Sequence, residues 1–207
     1  MLTIHHIEGR RSERIAWLME ELGLPYKLEF KLDDVPGSLV ALESVHQMRM
    51  APIVVDGELT LIESGAILEY ILAKYGAGRL APDRSAPHYW RYLQFMHFAE
   101  GSATPRIMPH WIAKILGTEP DLLTVGLGGF PRVMKYLEHE LNDRQYLAGR
   151  EFTAADIMMH FPLKLAKRLL NDLGDYPNVD AYFTRITERP AFKAAMAATM
   201  PHGPPKI

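Results

Sequence analysis

The sequence contains no cysteine. Disulfide bonds, thiolate metal sites and any mechanism with a protein thiol as nucleophile are therefore excluded. The chain also lacks an apolar run near the ~20 residues that a membrane-spanning helix requires. Its first residues do not show the basic and then apolar pattern of a secretory signal. We therefore expect a cytoplasmic protein without a membrane partner.

An excess of charge of one sign is missing too. The 207 residues carry 23 Lys and Arg against 25 Asp and Glu, which gives a formal net charge of −2. No overall basic field therefore favours nucleic acid as a partner. Hydrophobic residues make up 48% of the chain, an ordinary share for a globular protein with a full core.

Histidine is plentiful, with nine copies, but its spacing does not predict a metal site. His5 and His6 are consecutive on a predicted strand, so their side chains point to opposite faces. His88, His97, His110 and His139 form no i, i+4 pair with an acidic partner. We expect no bound metal.

The first 78 residues mix strand and helix patterns. Apolar residues alternate at period two where a strand is predicted and recur at helical spacing elsewhere. The predicted elements are strands at 2–7 and 26–32, a helix from Ser12 to Gly23, a hairpin at 52–62 and a helix from Ser64 to Gly76. The opening strand–helix–strand order favours a parallel crossover, and Asp56-Gly57 predicts an antiparallel hairpin.

The second half of the chain is predicted to be helical. Residues 79–87 are rich in Gly and Pro, and we interpret them as a linker. Helical spacing follows at Tyr89–Glu100, Pro131–Leu141, Thr153–Leu170 and Val179–Thr187. Thr153 and Asp156 predict a capping box. The glycines of Gly126–Gly129 do not follow a strand, so they indicate a loop and not a phosphate cradle.

Three stretches resemble the cytosolic glutathione transferase family. They are IHHIEGRRSERIAWLMEELGLPY, HQMRMAPIVVDGELTLIESGAILEYI and AGREFTAADI. The resemblance covers essentially the whole chain. It implies an α/β plus all-α fold: a thioredoxin-like, glutathione-binding domain with a mixed four-stranded sheet at residues 1–78, the linker, and an all-helical domain at 88–207.

The resemblance also implies how glutathione is held. It places a cis peptide bond before Pro52, so that the backbone of Ala51 pairs with the cysteinyl part of glutathione. Glu63 and Ser64 lie at a predicted helix start, where family members bind the γ-glutamyl end. Unsatisfied N–H groups and the helix dipole attract a carboxylate at such a position.

The glycyl carboxylate of glutathione needs a cation. Many relatives have a lysine at the position of Met50, so this chain departs from the family there. Arg49 and His46 are the two candidates for the positive group. Neighbouring side chains on an extended segment point opposite ways, so the sequence leaves this choice open.

The activating residue is atypical as well. Glutathione reacts as the thiolate, and relatives with a similar first stretch have a serine at the position of Arg10. Three explanations stay open: Arg10 stabilises the sulfur itself, Ser12 replaces the missing hydroxyl, or helix N–H groups act alone. Arg14 is expected on the surface. Family members that use a protein cysteine are excluded as models.

The resemblance implies a second substrate, a hydrophobic electrophile held against the helical domain. The candidate pocket residues are Tyr92, Met96, Arg106, Met108 and Trp111. It also implies a homodimer and a transferase of the detoxification type. The alternatives are a non-catalytic glutathione- or ligand-binding module and a glutathione-dependent isomerase or lyase.

Overall fold

A computed structural model describes residues 1–120 and 129–203 of the chain. The chain divides into two compact units, one formed by residues 1–79 with 188–207 and one formed by residues 80–187. Most of the predicted Gly126–Gly129 loop lies outside the described residues. No helix in the described ranges is both long enough and apolar enough to cross a bilayer.

The predicted strands and helices occur in the predicted order, and the described residues contain further helices at Val35–Ala41, Thr104–Leu116 and Pro190–Thr199. The strands are β1 Leu2–His5, β2 Tyr26–Glu29, β3 Ile53–Asp56 and β4 Leu59–Ile62. The helices are α1 Glu13–Leu22, α2 Val35–Ala41, α3 Ser64–Tyr75, α4 Tyr89–Phe98, α5 Thr104–Leu116, α6 Gly129–Glu140, α7 Ala154–Leu170, α8 Pro177–Thr187 and α9 Pro190–Thr199. A short 3₁₀ turn, Leu42–Ser44, follows α2, and a π-helical segment, Ala99–Ala103, joins α4 to α5.

The strands of the first unit form one mixed sheet in the order β2-β1-β3-β4. β1 and β2 are parallel, whereas β1 with β3 and β3 with β4 are antiparallel. The predicted crossover and hairpin are therefore confirmed. Gly57 has a φ of +63°, which a glycine adopts without steric cost in the tight turn of the hairpin.

The register of the sheet brings three chain segments together at one end of the strands. His5 pairs with Ile53, and Ile53 pairs with Ile62. The residues that follow β1, precede β3 and follow β4 therefore all leave the sheet at the same end. Beneath them lies an apolar cluster of Ile7, Leu42 and Ile53, against which Ala51 and Ile62 pack.

The C-terminal segment belongs to the first unit. The sequence interpretation placed all residues from 88 to 207 in the helical domain, whereas residues 188–207 group with residues 1–79. The physical reason is that α9 packs along α1. Arg189 binds the carboxylate of Glu21 at 2.6 and 2.7 Å, and Phe192 lies edge-on to Trp17.

The predicted capping box is present at the start of α7 in the second unit. The carboxylate of Asp156 is fully buried and accepts from the backbone N–H of Thr153 and from that of Leu147. Tyr182 in α8 donates to the same carboxylate at 2.9 Å. This one side chain therefore ties the helix start to a loop and to a second helix.

The proline pair of α5 is accommodated differently at its two positions. Pro105 lies in the first turn of the helix, and Pro109 lies inside it. Proline in the first turn costs little because its missing N–H has no intrahelical partner there. The π-helical segment Ala99–Ala103 immediately precedes this helix.

A carboxylate at the hairpin gives the first unit a pH-dependent contact. Asp56 accepts hydrogen bonds from Tyr75, Lys74 and Tyr70 of α3, and these bonds hold the pKa of Asp56 well below its usual range. A carboxyl group whose folded pKa is lowered stabilises the fold when it is ionised. That contribution is present above its unfolded pKa of about 4 and is lost as the pH falls further.

We therefore predict that Asp56→Asn lowers the free energy of unfolding at neutral pH. The difference from the wild type should shrink as the pH falls below about 4, because the carboxyl group is then protonated in the unfolded chain while it stays ionised in the folded one. Urea unfolding at a series of pH values measures both effects. Glu58→Gln, an exposed site on the same hairpin, is the control. An Asp56→Asn difference that is independent of pH would contradict the assignment.

Candidate functional site

Three segments meet at the end of the sheet described above. They are the turn between β1 and α1, the bend at Ala51-Pro52 before β3, and the junction Glu63-Ser64 between β4 and α3. Each was singled out in the sequence. The register of β1, β3 and β4 brings the three together although they are up to about 50 residues apart along the chain.

The peptide bond between Ala51 and Pro52 is cis, as the resemblance implies. Pro52 is buried and Ala51 is half-buried. Ala51 packs against the cluster of Ile7, Leu42 and Ile53. The bend is therefore supported from below by the core of the unit.

The junction Glu63-Ser64 has two unusual features. Glu63 has φ +72° and ψ 115°, a conformation that favours glycine and marks strain in any other residue. Ser64 is only 3% exposed, and its hydroxyl has no hydrogen-bond partner among the described residues. No side chain caps α3, so the first N–H groups of this helix are available to an anion.

Arg49 and His46, the two candidates for binding the glycyl carboxylate, lie with Met50 in the segment before the cis bend. Arg49 pairs with Glu43 at 2.8 Å on the surface, and Met50 is 57% exposed. His46 accepts at Nδ1 from the backbone N–H of Met48, at 3.1 Å. In the neutral ring the hydrogen is then on Nε2, which makes His46 a donor toward its other side.

The turn between β1 and α1 separates the two candidate activators. Arg10 is exposed, whereas Ser12 is fully buried. The Ser12 hydroxyl contacts Nδ1 of His6 at 2.7 Å and accepts from the N–H of Ile7 at 3.2 Å. It makes no capping bond to α1, contrary to the role considered for a helix-opening serine.

Helix N–H groups at this turn are partly engaged by the backbone itself. The N–H of Glu13 donates to Arg10 and that of Arg14 to Arg11. The expected surface position of Arg14 is wrong, because its side chain is only 1% exposed. Arg14 lies in the first turn of α1, where its neighbours Glu13 and Ile15 are buried as well.

The residues predicted to line the electrophile pocket all lie in the second unit, but the environment differs from one residue to the next. Tyr92 and Met96 are buried in its core. Arg106 donates to the carbonyl of Ser102 at 3.0 Å, and Trp111 lies under the guanidinium of Arg168.

Met108 alone of these residues lines a groove of about 430 Å³ among the described residues. Its other walls include Pro105 and Pro109, together with Leu116, which the sequence analysis did not assign to the pocket. Leu116 was missed because an exposed apolar helix position cannot be told from a core position by spacing alone. The described residues contain no cluster of acidic and histidine side chains suited to a metal ion.

Comparison with known proteins gives two matching family models. The model described as "Glutathione S-transferase, N-terminal domain" matches residues 2–73. The model described as "Glutathione S-transferase, C-terminal domain" matches residues 118–190.

Individual proteins match over nearly the full length. Glutathione S-transferase 3 of Schizosaccharomyces pombe is 30% identical, with 94% of this chain and 86% of the relative covered. Glutathione S-transferase 3 of Zea mays is 31% identical, with 93% and 90% covered. The crystal structure of a glutathione S-transferase from Actinobacillus pleuropneumoniae matches with a TM-score of 0.81 and 26% identity, over 96% of this chain and 93% of that one.

The backbone of Glu63 generates a prediction about stability. Glycine adopts φ +72° without the steric cost that a Cβ atom imposes. We therefore predict that Glu63→Gly is more stable than Glu63→Ala by about 1 kcal/mol. Both variants lack the carboxylate, so the comparison isolates the backbone, and thermal or urea unfolding measures it. Equal stability of the two variants would show that Glu63 is not strained.

Proposed function

This chain belongs to the glutathione S-transferase family, and we propose that it transfers the thiolate of glutathione to a hydrophobic electrophile. Glutathione is the co-substrate. The observation that carries the proposal is the sheet edge where the cis bend at Pro52 lies beside the uncapped start of α3. In the reaction a carbon–sulfur bond forms, the thiol proton passes to water, and the electrophile either takes up a proton or releases a leaving group.

The start of α3 fits the γ-glutamyl end of glutathione. The carboxylate of that end is an anion, and the N–H groups of α3 lack a capping side chain. The buried hydroxyl of Ser64 lacks a partner within the described residues, so a carboxylate oxygen satisfies it. The exposed carboxylate of Glu63 then faces the ammonium group, and the backbone of Ala51 pairs with the cysteinyl part.

The glycyl end of glutathione meets the segment that precedes the cis bend. His46 offers a ring N–H, because its Nδ1 is already an acceptor. Arg49 offers a full charge, and its exposed pair with Glu43 costs little to exchange for a ligand carboxylate. Met50 contributes apolar contact where relatives have a lysine.

Arg10 is the best-supported activator of the sulfur. A free cysteine thiol has a pKa of about 8.5, and a nearby positive charge lowers it. Ser12 is buried and bonded to His6, and the N–H groups of Glu13 and Arg14 bond to backbone carbonyls. The guanidinium of Arg10 is exposed on this turn, at the position where relatives have the serine.

The electrophile is held by the helical region that begins after residues 79–87. Within it we assign the apolar groove beside Met108 to the hydrophobic substrate, because apolar walls with flexible sulfur-containing side chains suit such compounds. Tyr92, Met96, Arg106 and Trp111 do not line this groove, and only the family resemblance supports a role for them in holding the electrophile. A cytoplasmic homodimer, as the family resemblance implies, is part of the same proposal.

We predict that Ser64→Ala and Glu63→Gln each weaken glutathione binding about tenfold. Each change removes one charge-assisted hydrogen bond to the γ-glutamyl end, worth about 1.5–3 kcal/mol. Isothermal titration calorimetry with glutathione measures the effect. Glu69→Gln, an exposed acid on the same helix, is the matched control. Unchanged affinity in both site variants would overturn the assignment.

We predict that Arg10→Ala raises the apparent pKa of the bound glutathione thiol by about one unit, since it removes a neighbouring positive charge. Turnover at neutral pH should fall by up to about tenfold, with glutathione affinity largely kept. The ultraviolet absorbance of the thiolate, titrated with pH, measures the pKa. Arg10→Lys should keep most of the effect, and Arg84→Ala is the control for loss of an exposed arginine.

The wild-type protein distinguishes the alternative functions. Glutathione binding with an unshifted thiol pKa and no turnover across a panel of electrophiles would indicate a binding module. Turnover without net consumption of glutathione would indicate an isomerase or lyase. Absence of binding would leave the fold without this function.

A further inference from the structure

The C-terminal helix α9 is fixed along α1 at its first turn. Arg189 makes a two-pronged ion pair with Glu21, with N–O distances of 2.6 and 2.7 Å. Glu21 also accepts from the indole N–H of Trp17 at 3.0 Å, and Trp17 lies against Phe192 with ring centres 4.9 Å apart. The direction of α9 relative to α1 is therefore set by paired charges and packed rings.

At its other end, α9 reaches the start of the glutathione site through His6. This histidine follows β1 and is fully buried. Its Nε2 lies 2.9 Å from the backbone carbonyl oxygen of Thr199, the last residue of α9. Its Nδ1 lies 2.7 Å from the hydroxyl of Ser12. One ring thus bridges two segments that are 193 residues apart along the chain.

The hydrogen-bond roles follow from the chemistry of the groups. A carbonyl oxygen only accepts, so Nε2 of His6 must donate to Thr199. In the neutral ring Nδ1 then accepts, and the Ser12 hydroxyl donates to it at 2.7 Å, a shorter contact than the 3.4 Å from this hydroxyl to the carbonyl oxygen of Ile7. The Ser12 oxygen in turn accepts from the N–H of Ile7. The hydroxyl proton of Ser12 is therefore directed at His6 and away from any ligand.

These bonds close both ends of the turn that carries Arg10. Ile7 receives the N–H of Arg10 at its carbonyl, at 3.1 Å, and the carbonyl of Arg10 receives the N–H of Glu13 at 3.3 Å. Ile7 and Ser12 flank this turn, and the N–H of Ile7 donates to the hydroxyl of Ser12. Arg10 therefore lies in a turn whose two flanks are joined by the Ser12 hydroxyl, and His6 contacts that same hydroxyl.

We propose that His6 is a positioning residue for the reaction: it locks the turn of Arg10, and the Thr199 carbonyl of α9 orients its ring. The inference rests on the proposed function. Its effect passes through the turn because Ser12 is fully buried and does not reach the sulfur of glutathione. Electrostatic activation by Arg10 depends on its distance from that sulfur, so the lock acts on chemistry more than on binding.

The test compares His6→Gln and His6→Asn in the full-length protein. Gln retains a donor toward Thr199 but loses the acceptor for Ser12, whereas the Oδ1 of Asn takes the place of Nδ1. We expect His6→Gln to lower kcat roughly tenfold, as a small displacement of a reactive group does. The apparent pKa of the bound thiol should rise, and KM for glutathione should stay nearly constant. His6→Asn should recover part of kcat. His5→Asn, at the preceding residue and the last position of β1, is the control.

Each outcome of this test either supports or overturns the positioning role of His6. If the His6 variants fold and their kcat and thiol pKa equal those of the wild type, the proposal is overturned. This holds even if the variants are less stable to heat. If neither His6 variant folds, Ser12→Ala is the deciding variant, because it leaves the bond between His6 and Thr199 in place. A lower kcat with unchanged glutathione affinity then supports the positioning role of His6. An unchanged kcat overturns it. Failure of the wild type to bind glutathione would refute the proposed function itself, and it is seen before any variant is made.

Discussion

The pairing of His5 with Ile53 and of Ile53 with Ile62 is the constraint on which the candidate site depends. It sets the end of the sheet at which β1, β3 and β4 release their flanking residues. A slip of one residue would turn the buried Leu2 and Ile4 of β1 to the opposite face. Their burial opposes such a slip, so the apolar pattern of β1 also specifies the geometry of the site.

Local signals were sufficient for much of this architecture. Asp56-Gly57 predicted the hairpin, the apolar stripe predicted α1 up to Gly23, and the capping pair of Thr153 and Asp156 predicted the start of α7. Each of these signals involves residues that are a few positions apart, so both partners of the interaction can be recognised in one short stretch of sequence. The cis bond at Pro52 came from the family resemblance, because the residues around a proline do not by themselves distinguish cis from trans.

Long-range contacts could not be predicted in the same way. The sequence analysis predicted no element at residues 190–199, and their spacing does not show which element α9 packs against. That element is α1, and the bonds of Arg189 with Glu21 and of His6 with Thr199 join groups more than 160 residues apart. Arg14 was misjudged for a related reason, since the burial of a charged residue depends on neighbours that the sequence pattern does not reveal.

Ser12 and Ser64 both lie at the start of a helix, but their hydroxyl groups differ in hydrogen bonding. The hydroxyl of Ser12 is bonded to His6 and to the N–H of Ile7, whereas the hydroxyl of Ser64 is buried without a partner among the described residues. A buried polar atom without a hydrogen bond is costly. That cost is explained at Ser64 if a ligand supplies the missing partner, and no such explanation is required at Ser12.

The exchange of a serine for Arg10 changes what the turn can do for the sulfur. A hydroxyl donates one hydrogen bond, whereas a guanidinium brings a permanent positive charge and several donors but accepts no proton. The thiol proton must then leave to water, and Arg10 acts by lowering the pKa of the bound thiol. A Coulomb interaction of this kind weakens with distance and with exposure to solvent. An exposed Arg10 is therefore effective only on a turn held in place from within, which is the role that the buried contact between His6 and Ser12 fills.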